Sequence, residues 1–586
     1  MNRLIWISLV VGLATPCVLA QSADPLHTPA MQSADAAFRA GTAAMSRNDL
    51  AKAHAEFSKV IRLAPKVAAG HSALGAVLLA EGDTAGAIAE LEKARKFDPK
   101  DNAAAINLAT AYCRQNSYPQ SAELFRALEA ENVTLSPDDL ATYARALDGT
   151  GDTPGAEAKL RSAVDAAPDN AVLRDNLGTI LAEQMRFAES ESEFTKAVAG
   201  DENSVPFRVH LGSLFMVEGK LQEAIAQLSA ATTLGPDDFD ANLQLGKALQ
   251  SAGQDDQAVL RLRHASELNK NSIDAKYHLA LVLQSRGDIP EALPLLQQVA
   301  AARAEDAAVL TNLGLALVQS GKAKDALPIY QHALRLSPKD AILRQNMGVA
   351  ALQQSDLDGA ILNFKAGLAI KPDSPQLHYD LGLALKLKDK IPEAIPEFEL
   401  AASEDPSLPD PPYTLGILYM QMGKFDDSAR ELQKALALRP DNGDAWSTLG
   451  SVYKQMEEPT KAIDAIHHAI ELLPTQPSPH ITLAAILAQQ GDPAAAAAER
   501  KIAASLSRVA VAHQRASFAL ESGKLLRQRG QLAEAFQQLQ TAVTADPNNA
   551  AVHRELAMIL QLQGKGADAA VERSKADTLD PEAKTP

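Results

Sequence analysis

The sequence predicts an all-α chain built as an array of helical hairpins. Three observations predict it. The 586 residues repeat themselves with a spacing of 34, and a period of that length marks a stacked array of short supersecondary units. Small residues recur at fixed places in each repeat and a large apolar residue at another. Within each repeat, apolar residues are spaced by three and four, as in Leu313, Leu317 and Val318, then Ala326, Tyr330 and Ala333, which is the spacing of one helix face. The hydrophobic fraction, 46%, excludes wholesale disorder. Aromatics are only 4%, so the core is built from small and aliphatic side chains.

The first element is residues 1–20. Arg3 gives a positive start, Leu4 to Ala14 is apolar, and Val18 and Ala20 are small residues before a cut at Ala20/Gln21. This is the pattern of a cleaved secretory signal peptide. The apolar run is short for a membrane span, and Pro16 stands where a lipoprotein signal needs a small residue before Cys17. The expected location is therefore exported, in the periplasm or outside the cell, with no stable membrane insertion after cleavage. Residues 21–33 read as a disordered leader.

Sixteen repeats follow, beginning at residues 34, 68, 102, 137, 171, 205, 239, 273, 307, 341, 375, 409, 443, 477, 516 and 550. The eighth column is always Gly or Ala, as in Gly41, Gly75, Ala109 and Gly348. The twentieth is always Ala or Ser, as in Ala53, Ala87 and Ser121. Small side chains there let two helices approach, and a larger one would overpack the contact. The twenty-fourth is mostly large and apolar, including Phe57, Phe125, Tyr330 and Phe398, and is expected to fill space between neighbouring repeats. Proline stands third from the end in eleven repeats. It stops the second helix because it lacks an N–H and clashes with the preceding turn.

The thirteenth repeat carries Trp446, Leu449, Gly450, Tyr453, Ala462, Ala469 and Pro474 in these columns, with Ile466 where an aromatic is usual. This pattern resembles the tetratricopeptide repeat family, and the resemblance covers nearly all of the chain beyond residue 33. It implies a right-handed superhelical solenoid of about 16 helix-turn-helix units, the first helix of each lining a concave groove. Three repeats depart from the pattern. The third lacks the closing proline and runs through Asn132 into Ser136-Pro137. The fourteenth has Arg500 in a core column and is followed by five extra residues, so residues 509–515 are expected to be an irregular insertion, with a hinge near 491–516 between repeats 1–14 (34–508) and repeats 15–16 (516–586). The sixteenth has Arg573 in the same column, as a terminal repeat needs a polar outer face.

No catalytic motif is present: neither a zinc-protease helix motif, a nucleophile elbow nor a phosphate-binding glycine loop. No enzyme activity, cofactor or metal is expected. His467 and His468 are adjacent on a helix and point in divergent directions, so they read as solvated surface. Cys113 has no histidine near it and reads as a structural thiol. The formal charge of −17 argues against nucleic acid, whose phosphates need a basic face.

The family resemblance places columns five, six and nine in the groove. Column six is polar in all repeats but one, and its amides Asn107, Asn176, Gln244, Asn312 and Asn346 resemble the asparagine ladder of the nuclear sugar transferases. An amide both donates and accepts, so it can hold a peptide backbone of any sequence; the same column is often Asn without such a ligand. In repeats eight to twelve, columns five and nine hold Tyr277, Leu281, Leu315, Val349, Tyr379, Leu383, Tyr413 and Ile417. Those residues form either a tyrosine-edged binding stretch or packing internal to the array.

The reading is a non-catalytic exported scaffold that holds protein or extended peptide in its groove, in envelope assembly, secretion or surface-polymer export. The alternative is an accessory subunit that presents substrates to a separate glycosyltransferase-like enzyme. A homo-oligomer is left open.

Overall fold

A computed structural model describes residues 29–581. Among them are 31 helices and no strand. The chain divides into two compact units, one ending at Ala302 and one starting at Arg303. The first contains repeats 1–8 and the second repeats 9–16. In each unit a repeat is a helical hairpin whose second helix packs against the first helix of the next repeat. Thirteen first helices start at the repeat positions read from the sequence, among them Ala68–Glu81, Ala171–Glu183 and Ala341–Gln353. That of repeat 12 starts one residue later, at Asp410.

The first helix of repeat 1 spans Pro29–Met45, so the last residues assigned to a leader are helical. The rest of that segment, and the signal peptide, lie outside the described residues. A second correction concerns residues 509–515. They are not irregular: one helix runs without interruption from Pro493 to Gln528 and fuses the second helix of repeat 14 with the first of repeat 15. Sixteen hairpins therefore yield 31 helices. Between residues 494 and 522 there is neither Gly nor Pro, and alanine dominates, so helix propensity is high throughout and nothing stops the helix.

Column eight meets column twenty-four inside each hairpin. A Cβ on Gly348 would lie 2.3 Å from the Phe364 ring, and one on Gly314 2.3 Å from Tyr330. The large residue thus sits on its own repeat's glycine and in one cluster with the next repeat, as Phe364 does with Leu377 and Leu381. Where column twenty is serine, its buried hydroxyl donates to the column-eight carbonyl: Ser121 to Ala109 and Ser190 to Gly178 at 2.7 Å, Ser428 to Gly416 at 2.6 Å. The fifteenth column takes a positive φ in all sixteen repeats, from Gly82 (φ 85°) to Met185 (φ 60°) and Glu457 (φ 60°). This left-handed residue closes the first helix. Glycine fills it in ten repeats because it alone takes that conformation without a steric penalty.

Column four makes a second recurring contact. Its side chain donates to the carbonyl six residues back, at the closing turn of the preceding repeat. His71 reaches Pro65 (3.0 Å), Arg174 reaches Pro168 (2.7 Å), Asn242 reaches Pro236 (2.7 Å) and Trp446 reaches Pro440 (2.8 Å). The histidines also pair with a glutamate nineteen residues on: His71 with Glu90, His378 with Glu397, His480 with Glu499 and His553 with Glu572, at 2.5–2.6 Å.

His378 is the instructive case. Burial disfavours its charge, yet hydrogen bonds to Glu397 and the Pro372 carbonyl, with Glu404 nearby, outweigh burial and hold its pKa above the ordinary value. Both ring nitrogens face acceptors, which suits the imidazolium. A raised folded-state pKa contributes stability that is complete below about 6.5 and lost as pH rises through the raised value. Hydrogen exchange of repeat 11 should therefore be faster, at equal intrinsic rate, at pH 8.5 than at pH 6. His378→Gln should flatten that dependence.

Candidate functional site

The residues that matter lie on one face of the first helices. Spacing of three and four brings columns two, five, six, nine and thirteen to that face. In the first unit, Asn107 and Asn176 are buried, while Gln244, Tyr277 and Leu281 are half-buried. In the second unit, Asn312, Leu315, Asn346, Val349, Tyr379, Leu383, Tyr413 and Ile417 are all half-buried. Each of the apolar and tyrosine side chains thus retains a solvent-facing part.

Several are also packed from behind. Val349, Tyr379 and Leu383 lie against the core cluster of Phe364, Leu381 and Phe398, with the Tyr379 ring edge-on to Phe398 at 5.6 Å. Tyr413 backs onto the cluster of Leu432 and Leu449. Burial raises the pKa of both phenols, so they stay neutral donors. The sequence reading missed Ile342 and Leu387, which are exposed. Ile342 stands one and two turns before Asn346 and Val349, and Leu387 one turn after Leu383, so both extend the apolar stretch. Their columns, two and thirteen, are polar in many repeats, which hid the signal.

Column six is used in two ways. At some joints it bonds to column five of the preceding repeat, 35 residues earlier. Asp175 accepts from His210 Nδ1 (2.8 Å), Gln345 Nε2 donates to Asp380 (2.6 Å), and Tyr379 bonds to Thr414. These polar residues tie repeats together. Burial drives the Asp380 carboxyl up, against hydrogen bonds from Gln345 and Gln376 that pull it down. Asn176 differs: its buried Nδ2 has no hydrogen bond. A buried amide donor without an acceptor is costly.

The face carries charges of both signs, with Asp240 and Asp444 in column two and Arg145 and Lys247 in column nine. Desolvation, then repulsion from Asp238, raises the Asp240 pKa, while nearby His210 lowers it. Asp444 acts on the Tyr413 phenol. Away from this face, an open cleft of about 490 Å³ in the second unit is lined by Trp446, Tyr453, Asp464 and His468. The His468 ring lies tilted against Trp446 with centroids 4.6 Å apart, and His467 is exposed.

Cys113 is buried, with its Sγ 3.7 Å from the Thr142 carbonyl. Burial pushes the thiol up to about 11 against the pull of Arg145 and Arg114, so it is a poor nucleophile at neutral pH. Among the described residues, no three His, Cys, Asp or Glu side chains are grouped to hold a metal ion. No helix among them is long and apolar enough to cross a membrane.

Family profiles match the chain at many of its repeats. Profiles described as tetratricopeptide repeat match residues 38–102, 142–205 and 277–341, and again 78–147 and 215–282. A TPR repeat profile matches 350–389, 416–457 and 523–564, and two further tetratricopeptide profiles match 443–476 and 477–499. Cellulose synthase operon protein C of Xanthomonas axonopodis pv. citri is 32% identical over 169 residues, which is 27% of this chain and only 11% of that protein. Among solved structures, the yeast Tom70 is 15% identical over 78% of this chain and 96% of its own, with a TM-score of 0.37. The Cut9-Hcn1 structure gives 16% identity over 88% and 94%, with a TM-score of 0.32. The helical hairpins, the columns that close them and the repeat profiles matched along the chain agree on one conclusion: the chain belongs to the tetratricopeptide repeat family.

Proposed function

We propose that this chain is a non-catalytic, exported scaffold that binds a protein or an extended peptide on the face of its first helices, within a surface-polymer export or envelope-assembly system. The observation that carries the reading is the run of part-exposed Tyr379, Leu383, Tyr413 and Ile417 on adjacent first helices of the second unit. Tyrosine and aliphatic anchors with both a packed and a wet side are the composition of binding hot spots. The formal charge of −17 favours a partner with basic segments. The similarity to cellulose synthase operon protein C supports the surface-polymer setting, and the signal-peptide pattern of residues 1–20 supports export.

The test is affinity capture from an envelope extract with the wild type and with a Leu383→Glu, Ile417→Glu double variant. Circular dichroism must first show equal helicity. A partner held by the wild type should be lost from the variant, with affinity reduced about 30-fold or more, as for a hot-spot loss. Identical captured sets would overturn the assignment to this face.

A further inference from the structure

The fused helix Pro493–Gln528 leaves an inter-repeat face without its usual cover. At regular joints, columns three and ten of a first helix lie under the second helix of the preceding repeat. In repeat 13 these residues are Ala445 and Val452, fully buried in one cluster with Leu432 and Leu436 of that preceding helix. In repeat 7 they are Ala241 and Ala248, buried with Leu228 and Ala231. Repeat 15 carries Phe518 and Leu525 in the same columns, and they are 79% and 47% exposed. The cause is geometric. The helix that should cover them is the same helix, running on collinearly, and it cannot fold back onto itself.

These two residues belong to a longer stripe. Val511, 49% exposed, lies seven residues before Phe518, and Leu525 seven after. Seven residues are nearly two helical turns, so the three share one side of the helix. Ala516 and Gly523 on the opposite side are buried against the protein's own core. The stripe is flanked by Gln514, Arg515, Glu521 and Ser522. An apolar heptad seam with polar flanks is the surface that a second helix covers. Repeat 1, which no described repeat precedes, has the small residues Ala36 and Ala43 in these columns. Repeat 15 has a phenylalanine and a leucine at a face that ends a stack, where a capping surface would be polar.

We propose that this seam is covered by the same seam of a second copy of the chain, forming an antiparallel helix pair with its two-fold axis at Phe518. The axis places Phe518 against its counterpart and Val511 of each copy against Leu525 of the other. The spacing of seven on both sides of Phe518 makes the stripe self-complementary, as a two-fold interface requires. An antiparallel helix is also what covers this face at regular joints, where the preceding second helix fills the place. The pairing leaves the proposed partner-binding face on the first helices free, so the two proposals stand independently.

Sedimentation velocity on the full chain tests this. The wild type should sediment as a dimer at micromolar concentration, and Phe518→Glu should raise the dissociation constant about 30-fold or more. Met185→Glu, at a side chain 77% exposed in an intra-repeat turn, should remain dimeric. Both substituted positions are exposed, so helicity should be unchanged in each variant. A wild type that stays monomeric across the concentration range would overturn the proposal. So would a Phe518→Glu chain that still dimerises, or equal loss in both variants.

Discussion

Truncation of Phe364 to alanine should destabilise repeats 10 and 11 by about 3–5 kcal/mol, the largest effect expected of a single core change here. Phe364 is fully buried on Gly348, and the same cluster contains Ala351, Leu377 and Leu381 of its own and the next first helix. Gly348 has no Cβ to move into the space and the helix backbones are fixed by their neighbours, so the cavity would persist. In a repeat array stability is a sum of local and nearest-neighbour contributions, and a global midpoint would dilute the loss. Hydrogen exchange resolved by peptide is the suitable measurement. Protection should fall in residues 341–387 and stay unchanged in repeats 2–5. A loss spread evenly over the chain would contradict nearest-neighbour coupling.

Replacement of Ala510 by proline should cost the fused helix about 3 kcal/mol. Ala510 is exposed, so the penalty is that of the lost hydrogen bond and the ring clash, with no packing change. Ala510→Gly should cost about 1 kcal/mol. Exchange should accelerate in residues 503–512 of the proline variant. Repeats 15 and 16 should keep their protection, because their own cluster of Ala519, Leu539, Leu556 and Ile559 lies wholly beyond the break. An unchanged exchange rate at 503–512 would mean that the segment is not helical in solution.

How much of this was legible depended on whether a feature is local. The hairpins and their starts follow from residues that are hard to exchange: a side chain larger than alanine in column eight would strike column twenty-four, and proline in the closing turn stops a helix. The left-handed column fifteen was partly hidden, because Asn48, Asn116, Met185, Ser355, Asp389 and Glu457 occupy it as well as glycine. The fused helix was misread because a five-residue slip in register looked like a loop, although the composition of residues 494–522 favours a helix. The column-four contacts were invisible since His, Arg, Asn and Trp all make them; what recurs is a donor at one distance from a carbonyl. The pairing of Asp175 with His210 and of Gln345 with Asp380 required adjacent first helices to be laid side by side. At the candidate site the apolar stretch was readable from the change in columns five and nine. Ile342, Leu387 and the unpartnered amide of Asn176 emerged only from solvent exposure and bonding.

The side-chain hydrogen bonds described above join residues no more than 35 positions apart in a chain of 586. Such a chain has very low contact order, and helical proteins with that property fold in microseconds to milliseconds. Ribosomes add about 5–20 residues per second, so one 34-residue repeat takes about two to seven seconds to emerge. Each hairpin therefore has time to dock on its predecessor before the next is complete, and assembly follows the order of synthesis. The same locality means that duplicating or excising one whole repeat keeps each column opposite the same column of its new neighbour. An array of this kind can change length by recombination without passing through an unfolded intermediate sequence.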